Sequence, residues 1–193
     1  YQMYHEKGVE IPKHIAGLMC SAIISDTLLF RSPTCTEVDK AAGLDLARIA
    51  GIDIEKYANQ MFASASNLNG KTDEQIFHQD YKKFTLGQIS IGIGQISSLN
   101  EEELDGIESR LLPFLTKLHE ESEEDMMFFM LTNILEQSTR LICVGAGAMA
   151  LVVKSFRIDE AAYDINDVGV IKLASVVSRK KQLVPSLMIG IQM

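Results

Sequence analysis

The chain has 193 residues, 47 % hydrophobic and 23 % charged, with 26 acidic against 18 basic side chains and a formal net charge of −8. That composition predicts a packed core in one ordinary domain or two small ones. The acidic balance argues against a general nucleic-acid binder, although a small phosphate ligand needs only a few local cations. Three cysteines (Cys20, Cys35, Cys143) without a CxxC or His/Cys cluster argue against a disulfide framework and a structural zinc site, and a reducing cytoplasm fits best. No apolar run approaches the ~20 residues that span a bilayer, and no signal peptide is visible, so no membrane is expected. The chain opens at Tyr1 inside a helix-like stretch, and a fragment of a longer protein is expected.

In chain order, Ile11 to Ile24 reads as a helix, with Pro12 in a first turn that tolerates it. The run ends at Ser25-Asp26-Thr27. Thr36 with Asp39 resembles a capping box, and the helix it opens stops at Gly51. Ile54 to Ala65 fits another helix. Ser64 to Gly70 is the best linker, and a domain boundary is placed there, between 1–68 and 69–193. Thr72 with Gln75 opens a short helix to about Gln79. Lys83 to Leu86, Gly87, and Gln88 to Ile96 read as a β-hairpin. Asn100 caps a long amphipathic helix carrying Leu104, Ile107, Leu111 and Leu115. Met126 to Leu131 is a buried strand or a short helix, which periodicity cannot decide. Leu141 to Val144 is a strand, Ala148 to Phe156 a helix, and Val170 to Val177 a final strand running into Ser178-Arg179-Lys180-Lys181 and a terminal helix. The fold class is α/β to α+β: the end of an α/β domain, then a smaller domain with a mixed sheet flanked by helices.

Three features carry chemistry, and each has a plainer reading. Asp26, after an apolar run, is either a turn residue or a carboxylate projected toward a hard cation. Arg179-Lys180-Lys181 is either a solvated face or an anion site, since cations at a helix N-terminus oppose the macrodipole unless an anion sits there. Gly145-Ala146-Gly147-Ala148-Met149-Ala150 has the GxGxxA shape of a dinucleotide fingerprint, with Asp164 and Asp167 roughly 20 residues on. Too few βα units surround it, and a tight strand–helix turn is the preferred reading. The four histidines (His5, His14, His78, His119) show no ligand spacing.

Read together, Ile15 to Thr27 with Phe30 to Thr36 (SDT…SPTCT), Asp80 to Phe84 (DYKKF) and Val176 to Gln182 (SRKKQ) resemble the C-terminal two-thirds of family II, manganese-dependent inorganic pyrophosphatases of the DHH phosphoesterase superfamily. The resemblance covers essentially the whole chain. It implies a two-domain hydrolase of pyrophosphate that uses Mn²⁺ (or Co²⁺) with Mg²⁺, and a homodimer is possible. Asp26 matches the last metal-ligand Asp of that family. Lys82, Arg179 and Lys180 match the cations that bind substrate and act in catalysis, brought to the metals as the two domains close. The family's HxDxD and DHH motifs do not occur here and are expected before Tyr1, with any regulatory CBS domains. The chain alone is therefore expected to be inactive. A related phosphoesterase acting on polyphosphate or nucleotides, and a non-catalytic anion-binding fragment, are the alternatives.

Overall fold

The computed structural model describes residues 1–65, 68 and 70–192. It divides into two compact units, residues 1–65 and 66–193. Most of the expected linker at 64–70, and the boundary expected within it, lies outside the described residues. Leu68, grouped with the first domain by the sequence reading, is 3 % exposed and packs in the core of the second unit.

The first unit is helical: α1 (Gln2–Glu6), α2 (Lys13–Thr27), α3 (Glu37–Ala50) and α4 (Ile54–Ala65). Its core is built from Ala16, Cys20 and Ile24 of α2, Ala42, Leu46, Ala47 and Ala50 of α3, and Ala58 and Phe62 of α4. Small residues let α2 and α3 approach closely. A Cβ on Gly43 would lie 2.8 Å from the ring of Phe30, so that ring occupies the space glycine leaves. Helix α3 starts where its capping box places it: the Thr36 side chain accepts from Asp39 N, and the Asp39 carboxylate accepts from Thr36 N at 2.8 Å. It ends at Gly51, whose φ of 68° is the left-handed conformation expected of a residue that closes a helix.

Helix α2 runs further than its apolar pattern predicts. Three polar residues continue it to Thr27, so Asp26 lies in its last turn rather than beyond it. The Thr27 hydroxyl donates to Ile23 O at 2.6 Å and accepts from Phe30 N at 3.1 Å, which ties the helix end to the following turn.

The second unit is a five-stranded sheet in the order β1-β2-β3-β4-β5, formed by β1 (Tyr81–Leu86), β2 (Ile89–Ser98), β3 (Met126–Asn133), β4 (Ser138–Val144) and β5 (Val168–Ala174). Only β2 and β3 run parallel; the other three pairings are antiparallel. The parallel pair requires a crossover, supplied by the long helix α6 (Glu101–Glu120), whose start is capped by the Asn100 side chain. Helix α5 (Asp73–Gln79) and α6 cover one face over Ile96, Met127, Phe129, Leu131 and Ile142. Helices α7 (Ala148–Phe156) and α8 (Val184–Gln192) cover the other over Ile91, Ile93, Phe128, Met130, Leu141 and Ile171. Strand β3 alternates between two buried faces and so reads as one continuous apolar run.

The last strand stops earlier than its sequence suggests. β5 ends at Ala174, and Ser175 turns to a left-handed φ of 59°. Val176 and Val177 are buried in a loop instead of extending the strand. The chain then makes a single π-helical turn, Arg179–Leu183, before α8.

Candidate functional site

Strand β1 carries two adjacent lysines, and the pleat sends them to opposite faces of the sheet. Lys83 pairs with Glu124, a carboxylate whose side chain is only 3 % exposed. Burial pushes the Glu124 carboxyl up, but the hydrogen bond and charge of Lys83, together with hydrogen bonds from its own backbone N–H and from Ser122, more than reverse this, so its pKa is lowered overall. Lys82 stands on the side of Phe84 and Leu86, which pack toward α7 and α8. It is exposed and has no ion pair among the described residues.

Lys82 pairs in register with Ile93. The carbonyl of that residue accepts a hydrogen bond from Arg179 Nη1 at 3.1 Å. The same nitrogen donates to Asp80 O at 2.7 Å, and Nη2 donates to Asp80 Oδ1 at 2.9 Å. Residues almost a hundred positions apart in sequence thus meet at one end of the β1–β2 pair. Arg179 is 8 % exposed. Its cation at the start of a helical turn is balanced from within, by Asp80, rather than only by an external anion as the dipole argument suggests. Both Nη1 hydrogens are occupied; Nε and the second Nη2 hydrogen have no partner among the described residues. Lys180 and Lys181 follow, both exposed and without ion pairs among the described residues.

Asp26 belongs to the first unit. Its side chain is exposed, and its carbonyl accepts from Thr34 Oγ1 at 3.3 Å. Beyond Thr27, three consecutive non-glycine residues, Leu28, Leu29 and Phe30, have φ values of 48°, 51° and 66°. Each such conformation costs about 1 kcal/mol or more, so the turn persists only because its surroundings hold it. Leu29 N donates to Ile24 O and Ser32 N to Thr27 O, and Phe30 fills the gap at Gly43. Among the described residues no group of three His, Cys, Asp or Glu side chains could hold a metal ion. Asp26 offers one hard oxygen ligand and fits one coordination position, not a whole site.

The GxGxxA segment is a close-packed turn. The neighbours of β4 both run antiparallel to it, so the parallel βαβ unit of a dinucleotide fold is not built here. Gly145 has a φ of 117°, and a Cβ there would meet Asp125 O at 2.5 Å. Asp167 closes the turn by accepting from Gly147 N at 3.3 Å. Burial raises the pKa of the Cys20 and Cys143 thiols, as expected of inert core cysteines. No described helix is long and apolar enough to cross a membrane.

Sequence reasoning overlooked the polar side chains around residues 175–178. Gln95 and Gln182 both donate to carbonyls of this loop. Gln95 carried a signal, since it stands where the alternation of Ile89, Ile91 and Ile93 calls for an apolar residue; Gln182 carried none beyond its place after the basic triplet.

A mixed sheet covered by helices on both faces, with Arg179 anchored at one end of its first two strands, defines an α/β domain. The chain belongs to the DHHA2 domain family, which matches residues 59–189. It is 42 % identical over 193 residues to a probable manganese-dependent inorganic pyrophosphatase of Clostridium acetobutylicum, covering 98 % of this chain and 59 % of the relative. A protein of the same description from Bacillus anthracis is 40 % identical over 187 residues, covering 96 % and 58 %. The fold matches the crystal structure of a Methanococcus jannaschii protein assigned to the family II inorganic pyrophosphatases, with a TM-score of 0.80 and 31 % identity, over 95 % of this chain and 58 % of that one. The chain therefore spans less than three-fifths of the length of these relatives.

Proposed function

We propose that this chain is the substrate-binding part, with the end of the metal-binding part, of a manganese-dependent inorganic pyrophosphatase. The observation that supports this reading is the anchoring of Arg179 on Asp80 and on Ile93, the register partner of Lys82, with Lys82 and Lys180 both exposed, on an otherwise acidic chain. The names of the relatives point to pyrophosphate and to manganese.

Pyrophosphate hydrolysis transfers a phosphoryl group to water, and its barrier is dominated by charge on the phosphate oxygens. Lys82 and Lys180, as mobile point charges, neutralise non-bridging oxygens. Arg179 acts from a fixed position through its remaining Nε and Nη2 hydrogens. The cations also stabilise charge on the departing phosphate as the bridging P–O bond breaks. Asp26 supplies one carboxylate to a divalent metal, with Mn²⁺ or Co²⁺ as the transition ion and Mg²⁺ alongside. A metal held there would supply Lewis acidity toward water and the phosphate oxygens. The other ligands come from outside these residues, so the 193-residue chain alone binds the anion weakly and releases no phosphate.

The test is a substrate panel on the full-length protein: pyrophosphate, a linear polyphosphate and a nucleoside triphosphate. Preference for pyrophosphate, lost in Lys180→Ala without change in melting temperature, supports the reading. Preference for either other substrate replaces it with a related phosphoesterase.

A further inference from the structure

The loop at residues 175–178 leads into the two cations, and five of its eight polar backbone groups are held by side chains from elsewhere. The Gln182 carboxamide oxygen accepts from Val177 N at 2.9 Å and Ser178 N at 3.0 Å, while its nitrogen donates to Ser175 O at 2.6 Å. From the sheet, Thr139 Oγ1 donates to Val176 O at 2.6 Å and Gln95 Nε2 to Val177 O at 3.1 Å. Gln95 also reaches Thr132 Oγ1, whose hydroxyl is 3.1 Å from that of Thr139, so the sheet-side anchors form one network, buried at the two threonines. Three side chains thus make five hydrogen bonds to four consecutive residues. The loop does not rest in this shape unaided, because Ser175 is held in the left-handed region without being glycine.

We infer that Gln182, together with Gln95, is a positioning residue for Arg179 and Lys180, an inference that rests on the proposed role of those cations. The carboxamide of Gln182 bridges the loop and the helical turn. It thereby sets the direction in which the chain leaves Ser178, with Arg179 turned inward onto Asp80 and Ile93 and Lys180 outward to solvent. A donor and an acceptor are both needed on one short, neutral side chain. Methionine has neither group, and glutamate keeps only the acceptor. Without the bridge the two cations shift relative to bound anion, and a misplacement of about 1 Å is worth up to ~100-fold in rate.

The test is a double-mutant cycle in the full-length protein, read as kcat and KM for pyrophosphate with melting temperature measured alongside. Gln182→Met lowers kcat/KM by roughly ten- to a hundredfold, and Gln182→Glu lowers it less. In a Lys180→Ala background the further loss on Gln182→Met shrinks to about threefold or less, because coupled residues do not add. Equal losses in both backgrounds, or a lower melting temperature with kcat/KM unchanged, would overturn the inference. If Gln182→Met does not fold, Gln95→Met carries the same cycle. A wild-type protein that releases no phosphate, or kinetics indifferent to Lys180→Ala, refutes the proposed function itself and the inference with it. Indifference to Gln182→Met alone refutes only the inference.

Discussion

Arg179 carries two loads at once, and replacing it with lysine separates them. Lysine keeps the charge but not the fork that reaches Asp80 O, Ile93 O and the Asp80 carboxylate together. A hydrogen bond from a charged donor is worth about 1.5–3 kcal/mol. The bond to the Asp80 carboxylate counts for little, because that side chain is 45 % exposed and water can replace the guanidinium. Of the two carbonyl bonds the one to Ile93 O is buried, and lysine can keep one of the two. The net cost of Arg179→Lys is therefore about 2 kcal/mol, the loss of one charged bond and the desolvation of its acceptor. For a chain of this size that lowers the melting temperature by roughly 4–8 °C. Circular dichroism of wild type and variant under identical buffer checks it. A shift below about 1 °C would refute the reasoning, because it would mean that the anchored guanidinium contributes no stability.

Lys82→Ala and Lys180→Ala give the opposite signature in the full-length protein. Each lowers kcat for pyrophosphate by roughly 10²–10³-fold, with the melting temperature unchanged, since neither lysine has an ion pair among the described residues. Asp26→Asn weakens Mn²⁺ binding, measured by titration calorimetry, and leaves pyrophosphate affinity of the second unit intact; unchanged Mn²⁺ affinity would remove Asp26 from the metal site. Thr36→Ala removes one half of the α3 capping box and lowers stability by about 1 kcal/mol in denaturant unfolding. The Thr36 hydroxyl and backbone N–H hold the Asp39 carboxyl below its ordinary value. A carboxyl with a depressed folded-state pKa stabilises above its unfolded value and loses that contribution as pH falls through the folded one. Stability therefore declines on acidification in wild type, and the decline is shallower in Asp39→Asn. Equal acid slopes would contradict the assignment.

Much of the fold was legible because its signals are local. The Thr36–Asp39 and Thr72–Gln75 boxes, Asn100 and Gly51 mark helix ends through groups within three residues of one another, and the structure uses each of them. What was missed depends on distant partners. Met126–Leu131 was undecidable because both faces of β3 are covered, which erases the alternation that marks a strand. Val176 and Val177 look like strand residues because they are buried, yet their polar backbone is met by Gln95, Thr139 and Gln182 instead of by a neighbouring strand. The basic triplet was visible as chemistry, but the inward turn of Arg179 was not, since Asp80 lies 99 residues away. Lys82 and Lys83 are indistinguishable by type; only the pleat and the buried Glu124 separate a free cation from an engaged one.

The central claim is that these cations serve manganese-dependent hydrolysis of pyrophosphate. The most direct measurement is phosphate release from pyrophosphate by the full-length protein, first with Mn²⁺ and then with EDTA. Rapid release that the chelator abolishes is the predicted result. No release from a folded, manganese-loaded protein would contradict it.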